Sequence, residues 1–158
     1  MNYRLYEPAD FKQLYAIEES CFQPPLRFSR AYMRELVNNA NAATWLAEDE
    51  DQLTGFAVVK WMDVAAGTIA YIETIEVAAA NRKQGIGAEL LRRVEISSRS
   101  AGAKAIWLHV DVENASAIRL YEAHGYKQHG REEHYYARQR PALIYSKLIT
   151  ASLGEKPN

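Results

Sequence analysis

One short segment combines glycines and cations: Arg82-Lys83-Gln84-Gly85-Ile86-Gly87 lies between a predicted strand and a predicted helix. The first turn of a helix has unpaired backbone N–H groups and a partial positive charge. Glycines let a diphosphate approach those N–H groups, and Arg82 and Lys83 add formal charge. The segment predicts a pyrophosphate site. A helix start with glycines for tight packing and two solvated cations would contain the same residues.

Two other phosphate-binding motifs do not fit this segment. A P-loop requires Gly-Lys-Ser/Thr, which Gly85-Ile86-Gly87 lacks. A dinucleotide-binding turn requires a third glycine, and Leu90 stands at that position.

The elements around the segment alternate between strands and helices. Apolar stripes and capping residues predict a helix ending near Cys21, a second capped by Ser29, a long third opened by the glycine segment, and a fourth capped by Asn114. This alternation predicts an α/β (α+β) fold with a mixed sheet. The predicted strands are Asn2–Tyr6, Trp45–Glu48, Phe56–Trp61, Thr68–Val77, Ala105–Val110, Tyr126–Tyr136 and Leu143–Leu148.

Composition narrows the class of protein. The 158 residues predict one domain over residues 1–150 and a short tail over residues 151–158. A net charge of −1 at pH 7 argues against a nucleic-acid partner, and no apolar run approaches membrane-spanning length. Cys21 is the only cysteine, and the N-terminus lacks the apolar stretch of a signal peptide. We therefore expect a cytoplasmic protein that is a monomer or homodimer.

Two motifs together resemble one enzyme superfamily. Arg82-x-x-Gly85-x-Gly87 is similar to the acetyl-CoA pyrophosphate motif of the GNAT N-acetyltransferases. Asn114-x-x-Ala117-x-x-Leu120-Tyr121 and the following Gly125-Tyr126 resemble the later motif of the same superfamily. The similarity in element order extends over nearly the whole chain. It implies a mostly antiparallel sheet of about seven strands, four flanking helices and a splayed parallel strand pair.

Within the superfamily, the chain resembles protein N-terminal acetyltransferases of the ribosomal-protein alanine type and of the NatE catalytic-subunit type. The bacterial enzymes have glutamate at the position of His109, and the NatE type differs at Glu73 and has a shorter loop than Pro24–Phe28. The resemblance implies catalytic roles for Tyr71 and His109. The residues it implies for the acceptor are Pro25, Leu26, Tyr71, His109, Tyr135 and Tyr136.

The resemblance also implies a cofactor, acetyl-CoA, lying where the two parallel strands part. Backbone groups of Ile75 to Val77 would hold its pantetheine arm, and the Tyr121 hydroxyl would face its sulfur. No metal is expected, since His124, His129 and His134 repeat at a spacing that fits neither helix nor strand. The implied cofactor residues are Ile75, Glu76, Val77, Arg82, Lys83, Gln84, Gly85, Ile86, Gly87, Ala88, Asn114 and Tyr121.

The acceptor amine must attack as a free base. An α-amino group, with a pKa of about 7.8, is already roughly one-seventh neutral at pH 7, whereas lysine is almost fully protonated. An N-terminal amine therefore needs only a modest base, which suits histidine. We expect His109 to act through a water that Tyr71 positions. Glu73, on the same strand face as Tyr71 by the period of two, is the alternative base.

The same residues admit plainer interpretations. Tyr71, Tyr121 and His109 could be core residues, and Glu132 and Glu133 solvated charges. Three functions therefore stay open: an acetyltransferase for a protein or peptide N-terminus, one for a small amine or a lysine side chain, and a CoA-binding module without turnover. Usable base and acid groups argue against the third.

Overall fold

Within residues 1–24, 26–136 and 140–149, which the computed structural model describes, seven strands form one mixed sheet flanked by four α-helices. This arrangement confirms the predicted fold class. The strands are β1 (Asn2–Leu5), β2 (Ala42–Asp49), β3 (Gln52–Val64), β4 (Gly67–Val77), β5 (Ala103–Asp111), β6 (Lys127–Tyr136) and β7 (Arg140–Leu148). The helices are α1 (Phe11–Cys21), α2 (Arg30–Asn38), α3 (Ile86–Ser100) and α4 (Ala115–Ala123), with 3-10 turns at Pro8–Asp10 and Ala79–Asn81.

The strand order is β1-β2-β3-β4-β5-β7-β6. Only β4 and β5 are parallel neighbours among the described strands, and α3 supplies the crossover that a parallel pair needs. The central strand β3 is longer than the predicted Phe56–Trp61. Its exposed ends still pair, Gln52 with β2 and Val64 with β4.

The two sides of the sheet bury separate apolar clusters. Phe56 and Val58 of β3 pack in the cluster that contains α1 and α2. The intervening Ala57 and Val59 pack in the cluster that contains α3 and α4. Successive side chains of a strand point to opposite faces, so β3 contributes to both cores.

Local signals set the helix ends as predicted. The Ser29 hydroxyl accepts the Tyr32 N–H at 3.1 Å, and the Asn114 carboxamide oxygen accepts the Ala117 N–H at 3.2 Å. Each bond satisfies one N–H of a helix's first turn. In the described part of the chain, no helix has the length and apolarity needed to cross a membrane.

A buried carboxyl pair joins α1 to β4. Glu18 is 0% exposed and Glu76 is 3% exposed, and the Glu18 carboxyl lies close enough to disfavour the ionised form of Glu76. One oxygen of Glu18 accepts the Phe28 N–H at 2.9 Å, and one oxygen of Glu76 accepts the Thr74 hydroxyl at 2.7 Å. Burial, together with the contact to Glu18, raises the pKa of Glu76 well above its ordinary value.

This raised pKa predicts a stability that falls as pH rises. The folded chain holds a proton that the unfolded chain releases above a pKa of about 4.5, and each pH unit of difference costs about 1.4 kcal/mol. Glu76→Gln keeps an oxygen that can accept the Thr74 hydroxyl, without the titration. We expect the free energy of unfolding of the variant to exceed that of wild type by at least about 1 kcal/mol at about pH 8. At about pH 5 this difference should disappear.

Urea unfolding across this pH range measures the effect. Glu19→Gln, at the exposed neighbour of Glu18 on α1, is the matched control and should follow the wild-type curve. If the free energy of unfolding depends on pH in the same way in wild type and in Glu76→Gln, Glu76 does not retain a proton in the folded chain.

Candidate active site

The site begins where β4 and β5 stop pairing. Their ladder runs from Thr68 opposite Ala103 to Ile72 opposite Leu108, yet β4 continues to Val77 and β5 to Asp111. The strands therefore part and open a cavity of about 90 Å³. Its lining comprises Glu18, Phe22, Leu26, Phe28, Ile72, Glu73, Thr74, Ile75, His109, Val110, Asp111, Asn114, Ala117 and Tyr121.

A β-bulge at Glu73 accompanies the parting. Ile72 lies opposite Val59 and Thr74 opposite Val58, so Glu73 has no opposite residue on β3. An extra residue reverses the alternation of faces. Ile72 packs on the α3 side before the bulge, and Ile75 packs there after it.

His109 lies at the cavity wall with hydrogen bonds at both ring nitrogens. The Tyr71 hydroxyl oxygen is 2.7 Å from Nδ1, and a Glu132 carboxylate oxygen is 2.9 Å from Nε2. The Tyr135 ring stacks on the imidazole with a centroid separation of 4.0 Å and an interplanar angle of 2°. Its hydroxyl lies 3.3 Å from the Tyr71 hydroxyl. The predicted residues Tyr71, His109 and Tyr135 thus come together.

A second bulge, in β6, delivers Tyr135 and Glu132 to this wall. The register with β7 shifts between Glu132 and Tyr136, and His134 adopts a left-handed conformation with φ of 62°. From its sequence position, Glu132 was expected to be a solvated charge, and its bond to His109 was not predicted. Nothing in the local pattern marks this bulge, because a left-handed histidine has no strong sequence signal.

Glu73 is engaged by two residues that the sequence analysis did not select. Its carboxylate forms an ion pair with Lys60 at 2.8 Å and accepts the Tyr32 hydroxyl at 3.2 Å. Burial, and next the Glu73 carboxylate, raise the pKa of Tyr32 to about 12. Lys60 also lies 5.9 Å from the centroid of the Tyr71 ring, so Glu73 and Tyr71 do share a face. Because the Lys60 cation already pairs with the Glu73 carboxylate, His109 is favoured over Glu73 as the base.

The glycine segment forms the turn that leads into α3. Gly85 is the N-cap residue with φ of 84°, no side chain caps it, and a Cβ built there meets no described atom within 4 Å. A Cβ on Gly87 would make only an ordinary 3.5 Å contact with Leu120. Packing among the described residues therefore does not require either glycine to lack a side chain, and at position 85 the left-handed φ accounts for the glycine.

The side chains of this turn have different surroundings. Lys83 and Gln84 are exposed, and Ile86 is buried in the core, so only its backbone could meet a ligand. Arg82 donates from Nε to the Val77 carbonyl at 3.0 Å and from Nη2 to the Cys21 sulfur at 3.5 Å. Arg82 thus ties the turn to the end of β4.

Other predicted residues lie on the α4 side or outside the described part. Asn114 and Tyr121 line the cavity from α4, and Tyr121 is 5% exposed with its ring edge on Tyr126 at 5.6 Å. Leu26 lines the cavity from the loop after α1. Pro25 lies outside the described residues, as does the side chain of Tyr136.

The three regularly spaced histidines have separate surroundings. His124 contacts the Leu120 carbonyl at 2.8 Å, His129 packs on the Trp107 ring, and His134 lies in the β6 bulge. Across residues 1–24, 26–136 and 140–149, no group of three or more His, Cys, Asp or Glu side chains is arranged to hold a metal ion.

The chain is similar to known proteins in sequence and in fold. Residues 11–126 match the model of the Acetyltransferase (GNAT) family, and the protein belongs to that family. The chain is 30% identical over 132 residues to N-alpha-acetyltransferase 60 of Xenopus tropicalis, covering 72% of this chain and 54% of that protein. It is 38% identical over 89 residues to the streptothricin acetyltransferase of Streptomyces lavendulae, covering 56% of this chain and 46% of that protein. The chain spans about half the length of these curated relatives.

Solved structures extend the likeness to the whole fold. The Arabidopsis thaliana NAA60 complex with a bisubstrate analogue superposes with a TM-score of 0.82 at 25% identity, covering 96% of this chain and 99% of that one. The ribosomal-protein-S18-alanine N-acetyltransferase of Escherichia coli superposes with a TM-score of 0.81 at 22% identity, covering 99% of both chains. The predicted resemblance to N-terminal acetyltransferases is confirmed.

Gly85→Ala tests the turn. We expect it to weaken acetyl-CoA binding at least about tenfold, because the methyl group projects where the diphosphate would meet the α3 amides. Isothermal titration calorimetry measures the affinity.

Gly102→Ala is the matched control for the backbone strain that alanine introduces at a left-handed position. Gly102 has a left-handed φ of 88° and equally open surroundings, but lies past the far end of α3. Both variants should lose about 1 kcal/mol of stability. Equal acetyl-CoA affinities in the two variants would refute the phosphate assignment.

Proposed function

We propose that the protein is an acetyl-CoA-dependent N-acetyltransferase that moves the acetyl group directly onto the α-amine of a peptide or protein N-terminus. The observation that carries this proposal is the Tyr71–His109 contact of 2.7 Å at the wall of the cavity between β4 and β5. It provides a base at the place where the family fold opens.

The cofactor would enter between the separated strands. Past Ile72, the β4 backbone no longer pairs with β5, so the groups of Ile75 to Val77 that are not paired with β3 would meet the pantetheine arm and the thioester carbonyl. The Val77 carbonyl is excepted, because it already accepts from Arg82. The α3 amides behind Gly85 would hold the diphosphate, and Asn114 and α4 would border the arm. Fixed N–H groups near a developing oxyanion are a strong catalytic contribution.

The two proton transfers of the reaction would take place on opposite sides of this cavity. Tyr71 and His109 would remove the proton from the attacking amine. Tyr121, on the α4 side, would face the sulfur and protonate the departing thiolate. A thiol with a pKa of about 8.5 is a good leaving group, so Tyr121 contributes less than the base.

The acceptor side supports a peptide. Leu26 and Phe28 of the loop after α1 line the cavity, and Tyr135 of β6 closes over His109. Two segments thus flank the position of the attacking nitrogen, as a bound peptide's first residues would require. Relatives of this chain include proteins named as N-alpha-acetyltransferases 60, 30 and 50, and the Arabidopsis NAA60 structure contains a bisubstrate analogue.

A small amine is the second candidate acceptor. The streptothricin acetyltransferase relative has the higher identity, 38%, over its shorter match of 89 residues.

His109→Ala should lower kcat about 100-fold or more and leave acetyl-CoA affinity nearly unchanged, because it removes the base without touching the phosphate turn. The loss should be steepest below about pH 8, where fewer amines are already neutral. Steady-state kinetics across pH measures it. His129→Ala, an exposed histidine packed on Trp107, is the control and should retain wild-type turnover. An unchanged pH profile in His109→Ala would eliminate His109 as the base.

The acceptor itself is tested with a peptide library varied at its first two residues. Free N-termini should be acetylated, whereas N-terminally blocked peptides, lysine-only peptides and polyamines should react far more slowly. Product mass spectrometry locates the acetyl group. Equal rates for blocked and free peptides would reject the α-amine proposal, and faster turnover of polyamines would favour the small-amine acceptor.

A further inference from the structure

The Glu132 carboxylate determines which nitrogen of His109 carries a proton. An ionised carboxylate only accepts hydrogen bonds, and Glu132 Oε1 lies 2.9 Å from His109 Nε2. Nε2 must therefore donate. In a neutral imidazole the other nitrogen then carries the lone pair.

The Tyr71 hydroxyl must consequently donate to Nδ1. The distance between these atoms is 2.7 Å, within the range of an O–H donor bond. With its hydrogen directed at His109, the Tyr71 oxygen acts as an acceptor towards its other neighbours, which include the Tyr135 hydroxyl at 3.3 Å. Both nitrogens of His109 are engaged, so Tyr71, rather than the imidazole, is the group able to accept a proton from the substrate side.

We propose that Glu132 is a positioning residue that holds His109 in the Nε2–H tautomer and so makes the Tyr71 oxygen the acceptor of the substrate's proton. This inference rests on the proposed acetyl transfer. As the amine nitrogen bonds to the acetyl carbon, its N–H bond breaks and the proton passes to the Tyr71 oxygen. The Tyr71 O–H proton passes to His109 Nδ1, leaving an imidazolium with Glu132 on Nε2. When the tetrahedral intermediate collapses, its C–S bond breaks and the departing thiolate takes the Tyr121 O–H proton. His109 then releases its proton to solvent, and solvent reprotonates Tyr121.

The residues around His109 suit the formation of a positively charged imidazolium. The Tyr135 ring, parallel to the imidazole at 4.0 Å, holds the ring plane and favours a cation over its face. The nearby acid on the same strand, Asp111, is already paired with Arg140 of β7, and Glu113 also contacts Arg140. Among the described side chains, Glu132 is thus the carboxylate bonded to His109.

Glu132 is suited to position the ring rather than to meet the substrate. Its side chain is 51% exposed, whereas that of His109 is 19% exposed, and its carboxylate contacts Nε2, the ring nitrogen that does not face the Tyr71 hydroxyl. The arrangement repeats the logic of a carboxylate–histidine–hydroxyl triad, in which the acid fixes the tautomer and the hydroxyl meets the substrate.

The ¹⁵N chemical shifts of the His109 ring test the tautomer directly, without any substrate. At about pH 9, where imidazoles are neutral, wild type should show a protonated Nε2 and a bare Nδ1. Glu132→Ala should show a mixture of tautomers. Glu132→Gln should retain the wild-type tautomer, because its amide oxygen still accepts the N–H. A spectrum of His109→Ala identifies the His109 signals among the four histidines.

Kinetics provide the second measurement. Glu132→Ala should lower kcat at least about tenfold with the KM for acetyl-CoA unchanged, and Glu132→Gln should lower it less. Glu133→Gln is the matched control, since Glu133 is adjacent in β6 and pairs with Arg131. It should behave as wild type in both measurements.

An unchanged His109 tautomer in Glu132→Ala would overturn this inference, whatever happens to kcat. An unchanged kcat in that variant would do the same. If wild type acetylates no amine, the proposed function fails separately, and the ring spectrum still decides the role of Glu132.

Discussion

The site depends on one event in the sheet: the parallel ladder between β4 and β5 ends at Ile72 and Leu108 while both strands continue. A sheet normally satisfies backbone N–H and C=O groups by pairing them. Where the strands part, those groups on β4 become free for a bound molecule. The same separation leaves a cavity between α1 on one side and α4 on the other, and the candidates His109, Asn114 and Tyr121 line it.

Two bulges adapt this opening to chemistry. The extra residue at Glu73 reverses the faces of β4, so that Ile75 packs beneath α3 while Glu76 points towards α1. The bulge in β6 brings Glu132 and Tyr135 onto His109. Regular strands of the same length would direct some of these side chains to the opposite face.

The carboxylates around the cavity have different partners and therefore different roles. Glu73 is neutralised by Lys60, which suits a structural part of the wall. Glu132 is bonded to an imidazole, where it can stabilise a positive charge as that charge forms. Burial and the neighbouring Glu18 raise the pKa of Glu76. Glu18 in turn accepts the Phe28 N–H, so the pair links the loop after α1 to the strand that would hold the cofactor. The role open to each of these groups follows from its neighbours rather than from its residue type.

The sequence by itself determined the fold class, the family, the glycine turn, the helix caps at Ser29 and Asn114, and the candidates Tyr71 and His109. These features depend on local spacing, which a linear pattern records: caps act within one turn, and the glycine turn is contiguous. Only the tertiary structure decided that Lys60 and Tyr32 engage Glu73 and that Glu132 holds His109. Those contacts join residues distant in the chain through bulges that break the period of two, and no local pattern encodes where such strands will meet.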